Sequence, residues 1–127
     1  MYITEYHENF REDLINFMTA FNPKFVLEDY LKESSKLFLV FHNDKIVSSI
    51  GMIDNGFSVA RIQDFYYFDE YELNKDILYI AMINYIKSRA YKLVITKVLE
   101  KEEFFLSKGF SIFKKEAGDN WYKKSLS

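Results

Sequence analysis

A carboxylate within an otherwise apolar strand is the first feature of this sequence that suggests chemistry. Phe57 to Phe68 is predicted to form a strand, and Asp64 shares one face of it with Ala60 and Ile62 by two-residue alternation. A carboxylate is out of keeping with such neighbours. Asp64 is therefore a candidate general base. The alternative is that it only accepts hydrogen bonds where the strand edge widens.

The segment after this strand has the position of an anion site. A strand, a short loop and an apolar helix from about Lys75 to Arg89 follow one another, and free backbone N–H groups converge at such a helix start. The loop 70–76 has no glycine and sets one lysine against three carboxylates, Glu70, Glu72 and Asp76. Two interpretations stay open: a phosphate site with Lys75 as a point charge, or an ordinary helix start capped by Asn74 or Asp76.

Composition excludes several classes of protein. The 127 residues are 49% hydrophobic with a net charge of −2, which predicts one folded domain over 1–127 and no nucleic-acid surface. Cysteine is absent, and no carboxylate cluster joins His7 and His42, so we expect no metal. The N-terminus lacks a signal peptide pattern, and the apolar stretch 77–86 is too short to span a membrane. We expect a cytoplasmic protein without membrane partners, and the amino-acid usage suggests a bacterial source.

The chain has the pattern of an α+β protein on a mixed, mostly antiparallel sheet. Apolar spacing predicts the order β-α-α-β-β-β-α-β-α-β-β. A first helix is expected to begin with a capping box at Asn9, and the "DNG" of 54–56 is expected to make a two-residue hairpin turn. The helix from Lys75 is apolar nearly all round, so little of it should be exposed. It alone makes a βαβ crossover, from strand 57–68 to strand 92–98.

This order resembles that of the GNAT acetyltransferase superfamily over essentially the whole chain. The matching segments are "KIVSSIGMI", "ARIQDFYYFDEY", "DILYIAMINYIKSRAYKLVI" and "FFLSKGF". Three positions depart from the family pattern. "EYELNK" keeps none of the glycine-containing loop signature, Phe105 stands where a tyrosine acid is frequent, and Val98 stands where an asparagine is common.

The resemblance implies an acyl-CoA site, with acetyl-CoA as co-substrate, between strands 57–68 and 92–98, where the two strands splay apart. The pantetheine would lie along the backbone near the aromatic stripe, and the diphosphate would lie on the loop at the helix start. An aromatic stripe is otherwise more often core than ligand wall. The expected cofactor-binding residues are Phe65, Tyr66, Tyr67, Phe68, Leu73, Asn74, Lys75, Asp76, Ile77 and Phe105. The amine acceptor would enter beside the first two helices and the loop 21–25.

Acetyl transfer by direct attack needs a base, an oxyanion donor and a proton for the leaving thiolate. Asp64 is the candidate base because of its position on the strand, and a backbone N–H near Tyr67 is the candidate oxyanion donor. Because Phe105 has no proton to give, Tyr122 is the candidate acid, with Tyr66 and Tyr79 as alternatives. Core packing explains each of these tyrosines equally well.

Two functions from different classes follow. The first is an N-acetyltransferase that acts on an amine of a small molecule or peptide. The second is a catalytically inactive GNAT-fold module that binds a ligand or a partner protein. The altered loop and Phe105 favour the second function, but many members of this fold tolerate such loss of motifs, so the enzyme remains the first expectation. The aromatic content of 19% makes a homodimer plausible.

Overall fold

The computed structural model describes residues 1–98, 100–116 and 118–126. The strands are β1 (Tyr2–Glu5), β2 (Lys36–His42), β3 (Lys45–Asp54), β4 (Val59–Tyr67), β5 (Leu93–Val98), β6 (Ser111–Glu116) and β7 (Asp119–Ser125). The helices are α1 (Arg11–Phe21), α2 (Asn74–Ser88) and α3 (Glu102–Ser107). Short 3₁₀ turns cover Glu8–Phe10, Leu27–Tyr30 and Asp69–Tyr71. None of the helices in these ranges is long and apolar enough to cross a membrane.

All seven strands form one mixed sheet in the order β1-β2-β3-β4-β5-β7-β6. Strands β4 and β5 are parallel, and every other neighbouring pair is antiparallel. The predicted α+β class, the mixed sheet and the order of elements are confirmed. The second predicted helix is the 3₁₀ turn Leu27–Tyr30.

Each face of the sheet carries its own apolar cluster. One cluster joins β3, β4 and β5 to α2 and α3, with Ile62, Met82 and Phe105 among its buried members. The other joins β2 and β3 to α1 and the turn Leu27–Tyr30, with Leu14 and Tyr30 among its members. The sheet therefore separates an α2 face from an α1 face, and a residue's position on β4 decides which face it serves.

Two local predictions about turns and caps are wrong. Asn9 does not cap α1, because the 3₁₀ turn Glu8–Phe10 precedes the helix and Phe10 occupies the cap position. The "DNG" turn is longer than two residues, since positive φ angles fall on Gly56, Phe57 and Ser58 before β4 begins. The Asp54 carboxylate accepts the Gly56 N–H at 2.7 Å, which organises this longer loop.

Helix α2 is more exposed than its sequence predicts. Leu78, Met82 and Ile86 are completely buried, whereas Ile77 and Ile80 on the outer side are each 53% exposed. The sheet can cover only one side of a helix, so apolar residues on the other side face solvent although their type suggests burial.

Candidate functional site

A β-bulge in β4 forms one wall of the candidate site. Ser49 of β3 pairs with Tyr66 and Gly51 pairs with Gln63, so the single residue between them faces both Asp64 and Phe65. Asp64 has a left-handed φ of +52°, which aspartate tolerates better than most residues. The Ser49 hydroxyl donates to the Asp64 carbonyl at 2.9 Å and fixes the bulge.

The bulge overturns the predicted orientation of Asp64. Ala60 and Ile62 belong to the cluster on the α2 face, and Phe65 rather than Asp64 continues their row. The Asp64 side chain lies on the α1 face, where it contacts Tyr30 and Tyr66. The extra residue breaks the two-residue alternation on which the prediction depended.

Strands β4 and β5 separate directly beside the bulge, as the resemblance implied. Their ladder joins Val59–Ile62 to Leu93–Thr96 and ends there, although β4 continues to Tyr67 and β5 to Val98. The Thr96 hydroxyl donates to the Ile62 carbonyl at 3.1 Å at the last rung. Beyond it lies a cleft of about 940 Å³. The cleft extends from the end of α1 to Lys101, which precedes α3, and to Phe105 in α3. A cleft of this size suits a drug-sized or larger ligand.

The Asp64 carboxylate is held by a cluster of polar side chains at the cleft, which we call the carboxylate cluster: Tyr30, Gln63, Asp64 and Tyr66. Tyr30 donates its O–H to Oδ2 at 2.5 Å, and Tyr66 donates to Oδ1 at 3.1 Å. Burial, reinforced by the Asp64 charge, raises the pKa of both phenols well above their ordinary value. Both phenols therefore remain protonated donors at neutral pH, with the carboxylate as their acceptor.

Aromatic rings surround the carboxylate cluster on the α1 face. Phe21 stacks on Tyr66 with ring centres 5.1 Å apart, and Phe25 stacks on Tyr30 at 5.9 Å. Phe68 packs against Phe21 at 5.2 Å. These contacts limit the motion of both phenols that hold Asp64.

Solved structures of acetyltransferases share this architecture. An acetyltransferase of the GNAT family from Staphylococcus aureus has a TM-score of 0.83 at 20% identity, covering 99% of each chain. An aminoglycoside 6'-N-acetyltransferase from Enterococcus faecium has a TM-score of 0.84 at 14% identity, covering all of this chain and 98% of its own. An acetyltransferase from Bacillus subtilis in complex with CoA has a TM-score of 0.78 at 12% identity, covering 98% of each.

The chain has the GNAT fold. The resemblance predicted from sequence is confirmed at this level by the solved structures. No protein-family model matches the sequence, and no curated protein matches it either. Because one fold can host many functions, the chemistry of this chain depends on the residues at its own site.

In the turn before α2 of this GNAT fold, several backbone N–H groups form hydrogen bonds within the turn itself. The N–H groups of Tyr71, Glu72 and Lys75 donate to backbone carbonyls of the same turn at 2.8 to 3.2 Å. Leu73 occupies the cap position, so neither Asn74 nor Asp76 caps the helix as proposed from sequence. Among the described residues, the cleft lining includes none of the five predicted residues of this turn, Leu73, Asn74, Lys75, Asp76 and Ile77.

The side chains at this helix start have other partners. Buried Asn74 donates its amide to the Ser48 hydroxyl at 3.2 Å and thereby attaches α2 to β3. Lys75 pairs with Glu72 at 2.9 Å, and Asp76 pairs with Lys108 of the segment after α3 at 3.0 Å. Leu73 is 85% exposed. Their predicted role in cofactor binding stays a prediction.

The aromatic stripe of β4 divides between core and cleft. Phe65 and Phe105 are buried in the α2-face cluster and also line the cleft. Tyr66 and Tyr67 line the cleft as well, whereas Phe68 packs on α1 and is not part of the lining. Both interpretations of the stripe thus apply, to different residues.

Lys101 is a cleft residue that the sequence analysis missed. Its ammonium lies 5.6 Å from the ring centre of Phe65 and 5.2 Å from that of Tyr67. Burial lowers the pKa of this lysine, partly offset by the Glu100 charge. A cation held over aromatic rings beside a cleft can bind an anionic group. Its sequence context, a charged run before α3, suggested only solvent exposure.

Of the three tyrosines named as proton donors, only Tyr66 lines the cleft within the described residues. Tyr122 is buried and donates its O–H to Glu102 at 2.5 Å, and this bond raises its pKa to about 12. Tyr79 is buried under α3, where burial raises its pKa to about 12. The structure places neither of them where a group in the cleft would reach its hydroxyl, and the acid role of Tyr122 stays untested.

Proposed function

We propose that this protein is an N-acetyltransferase that transfers an acetyl group from acetyl-CoA to an amine of a small molecule or peptide. The observation that carries the proposal is the Asp64 carboxylate at the edge of the gap between β4 and β5. The fold of known acetyltransferases supports it. The bacterial source and the cytoplasmic location belong to the same proposal, as does association into a homodimer.

The residues along the gap fit a thioester carrier. Within the described ranges, the β4 edge beyond Ile62 has no pairing with β5, so its main chain faces the cleft where a pantetheine amide can pair with it. Phe65, Val98 and Phe105 give an apolar wall. Lys101 supplies a positive charge for a phosphate. When bound, acetyl-CoA supplies an activated acetyl group and a thiolate leaving group.

We propose that Asp64 receives the proton of the acceptor amine, and the unused acceptor capacity of its carboxylate supports this role. As the neutral amine forms its C–N bond and the C–S bond breaks, the amine nitrogen must lose one proton. A carboxylate has about four acceptor positions. Tyr30 and Tyr66 each occupy one, and the Gln63 amide approaches Oδ2 at a long 3.5 Å. Capacity therefore remains for an N–H from the cleft.

One observation favours the second candidate, a GNAT-fold module without catalysis. The turn before α2 uses the N–H groups of Tyr71, Glu72 and Lys75 internally, and these would otherwise hold a diphosphate. Binding of the nucleotide end would then depend mainly on Lys101.

Acetyl-CoA binding separates the two candidates. At a hundred times its dissociation constant, a ligand stabilises the folded state by about 2.7 kcal/mol, which a thermal shift detects. We expect a shift with acetyl-CoA, and no shift at millimolar concentration would favour the silent module. Lys101→Ala should weaken binding about tenfold, or roughly 1.4 kcal/mol. Lys75→Ala is the matched control, because Lys75 is paired outside the described cleft lining, and an equal loss there would return the phosphate role to Lys75.

A further inference from the structure

Tyr30 lies directly on the backbone of β3. Gly51, in the middle of that strand, pairs with Leu37 on one side and Gln63 on the other. A Cβ at Gly51 would lie 2.1 Å from the Tyr30 Oη and 2.6 Å from its Cζ, far inside contact distance. The phenol can occupy this place only because residue 51 has no side chain.

Contact with the glycine brings the Tyr30 hydroxyl to the centre of the carboxylate cluster. Its oxygen accepts the Gln63 amide at 3.1 Å and its hydrogen is donated to Asp64 at 2.5 Å. Because a hydroxyl has one hydrogen, the Gln63 bond leaves that hydrogen free for the carboxylate. Gln63 is the residue opposite Gly51 in the sheet, so the glycine, the amide and the phenol form one unit.

Asp64 needs such support because of where the bulge places it. Its backbone is left-handed and its side chain lies at the wall of an open cleft. Tyr66, two residues along the same strand, holds only Oδ1. Tyr30 comes from a separate element, the turn Leu27–Tyr30, and holds Oδ2. Two donors from separate elements fix the plane of the carboxylate, which one donor cannot do.

We infer that Tyr30 is a positioning residue for Asp64 and that Gly51, because it has no side chain, leaves the space that the Tyr30 ring occupies. The catalytic consequence rests on the proposed acetyltransfer, whereas the hydrogen-bonded unit does not. Tyr30→Phe retains the ring on Gly51 and removes only the donor. We expect this variant to lower kcat about tenfold while leaving the KM for acetyl-CoA unchanged, since the phenol lies on the acceptor side. An unchanged kcat in an active enzyme would overturn the positioning role.

A second measurement tests the unit even if no acceptor amine gives activity. With ring-labelled tyrosine, NMR titration of the wild type should show Tyr30 and Tyr66 ionising at higher pH than an ordinary tyrosine, because burial and, in addition, the neighbouring Asp64 carboxylate raise the pKa of both phenols. In Asp64→Asn both should ionise at lower pH, while Tyr79, whose hydroxyl has no partner among the described residues, should not change and serves as the control. Unchanged titration of Tyr30 in Asp64→Asn would overturn the inference, whatever the protein catalyses.

A double substitution tests whether Gly51 is needed to accommodate the Tyr30 ring. Gly51→Ala should lower Tm strongly when Tyr30 is present, because the new methyl group displaces the ring. In the Tyr30→Ala background the clash is gone, so the added Gly51→Ala should change Tm little. If Gly51→Ala alone gives no folded protein, recovery of folded protein in the double variant supports the inferred role of Gly51. An equal loss of Tm in both backgrounds, or no recovery, would refute it.

Discussion

The buried hydroxyl of Tyr79 leads to a prediction opposite to the usual effect of a core substitution, which is a loss of stability. Tyr79 on α2 is 4% exposed, and its ring packs against Phe104, Phe105 and Phe110. Its Oη is fully buried and has no hydrogen-bond partner in the described part of the chain. Burial raises the pKa of this phenol to about 12, as expected for a group that has lost water and gained no partner.

The expected gain follows from the cost of that unpaired group. Leaving a buried hydroxyl without a partner costs about 1 to 3 kcal/mol. Tyr79→Phe removes the hydroxyl and retains the ring contacts, while the void of one oxygen costs at most about 1 kcal/mol. We therefore expect Tyr79→Phe to raise the free energy of unfolding by about 1 kcal/mol. For a domain of this size that corresponds to a rise of roughly 3 to 5 °C in Tm.

Urea unfolding of two matched variants checks this prediction. Tyr122→Phe also removes one buried phenolic oxygen, but there the O–H is donated to Glu102, so the free energy of unfolding should fall. Opposite signs for the two variants are the expected result. A loss of more than about 0.5 kcal/mol in Tyr79→Phe would refute the reasoning. It would mean that the hydroxyl has a stabilising hydrogen-bond partner in the folded protein.

The remaining predictions concern the carboxylate and alkaline pH. Asp64→Asn should lower turnover at least about a hundredfold without unfolding the protein, since asparagine also tolerates a positive φ. Asp64→Ala should be less stable than Asp64→Asn by about 1 kcal/mol in urea unfolding, and equal stability would contradict the strain at this position. Because Tyr30, Tyr66 and Tyr79 retain protons that the unfolded chain releases above about pH 10, the free energy of unfolding should fall as pH rises from there through their raised pKa values. Tyr79→Phe should make that fall less steep in urea titrations between about pH 9 and 11.5, and a pH-independent stability would contradict the raised pKa values.

The elements of this fold were predictable because local patterns specify them. The β2–β3 hairpin turn at "HNDK" has positive φ at both Asn43 and Asp44, residue types that favour this conformation and that mark such a turn in a sequence. The crossover helix was predicted for 75–89 and is observed at Asn74–Ser88, since its long apolar pattern has no competing interpretation. Alternation and turn chemistry act over a few residues, which is the range that a sequence shows directly.

The contacts of the site depend on residues far apart in the chain. Tyr30 meets Asp64 across 34 positions, and Asn74 meets Ser48 across 26. No spacing in the sequence indicates either pair. The one available signal was Gly51, because a glycine within an apolar strand often marks a close approach by another group. Lys101 was missed because the same residue type in a charged run normally faces solvent.

The bulge in β4 lies beside both parts of the proposed site, the Asp64 carboxylate and the gap between β4 and β5. Inserting one extra residue opposite Ile50 turns Asp64 to the α1 face and leaves Phe65 on the α2 face. Bulges also bend a strand and increase its twist, and β4 leaves β5 directly after Ile62, one residue before the irregularity begins. A regular β4 would place Asp64 on the α2 face in the row of Ala60 and Ile62, so the position of the proposed base on the α1 face depends on this bulge.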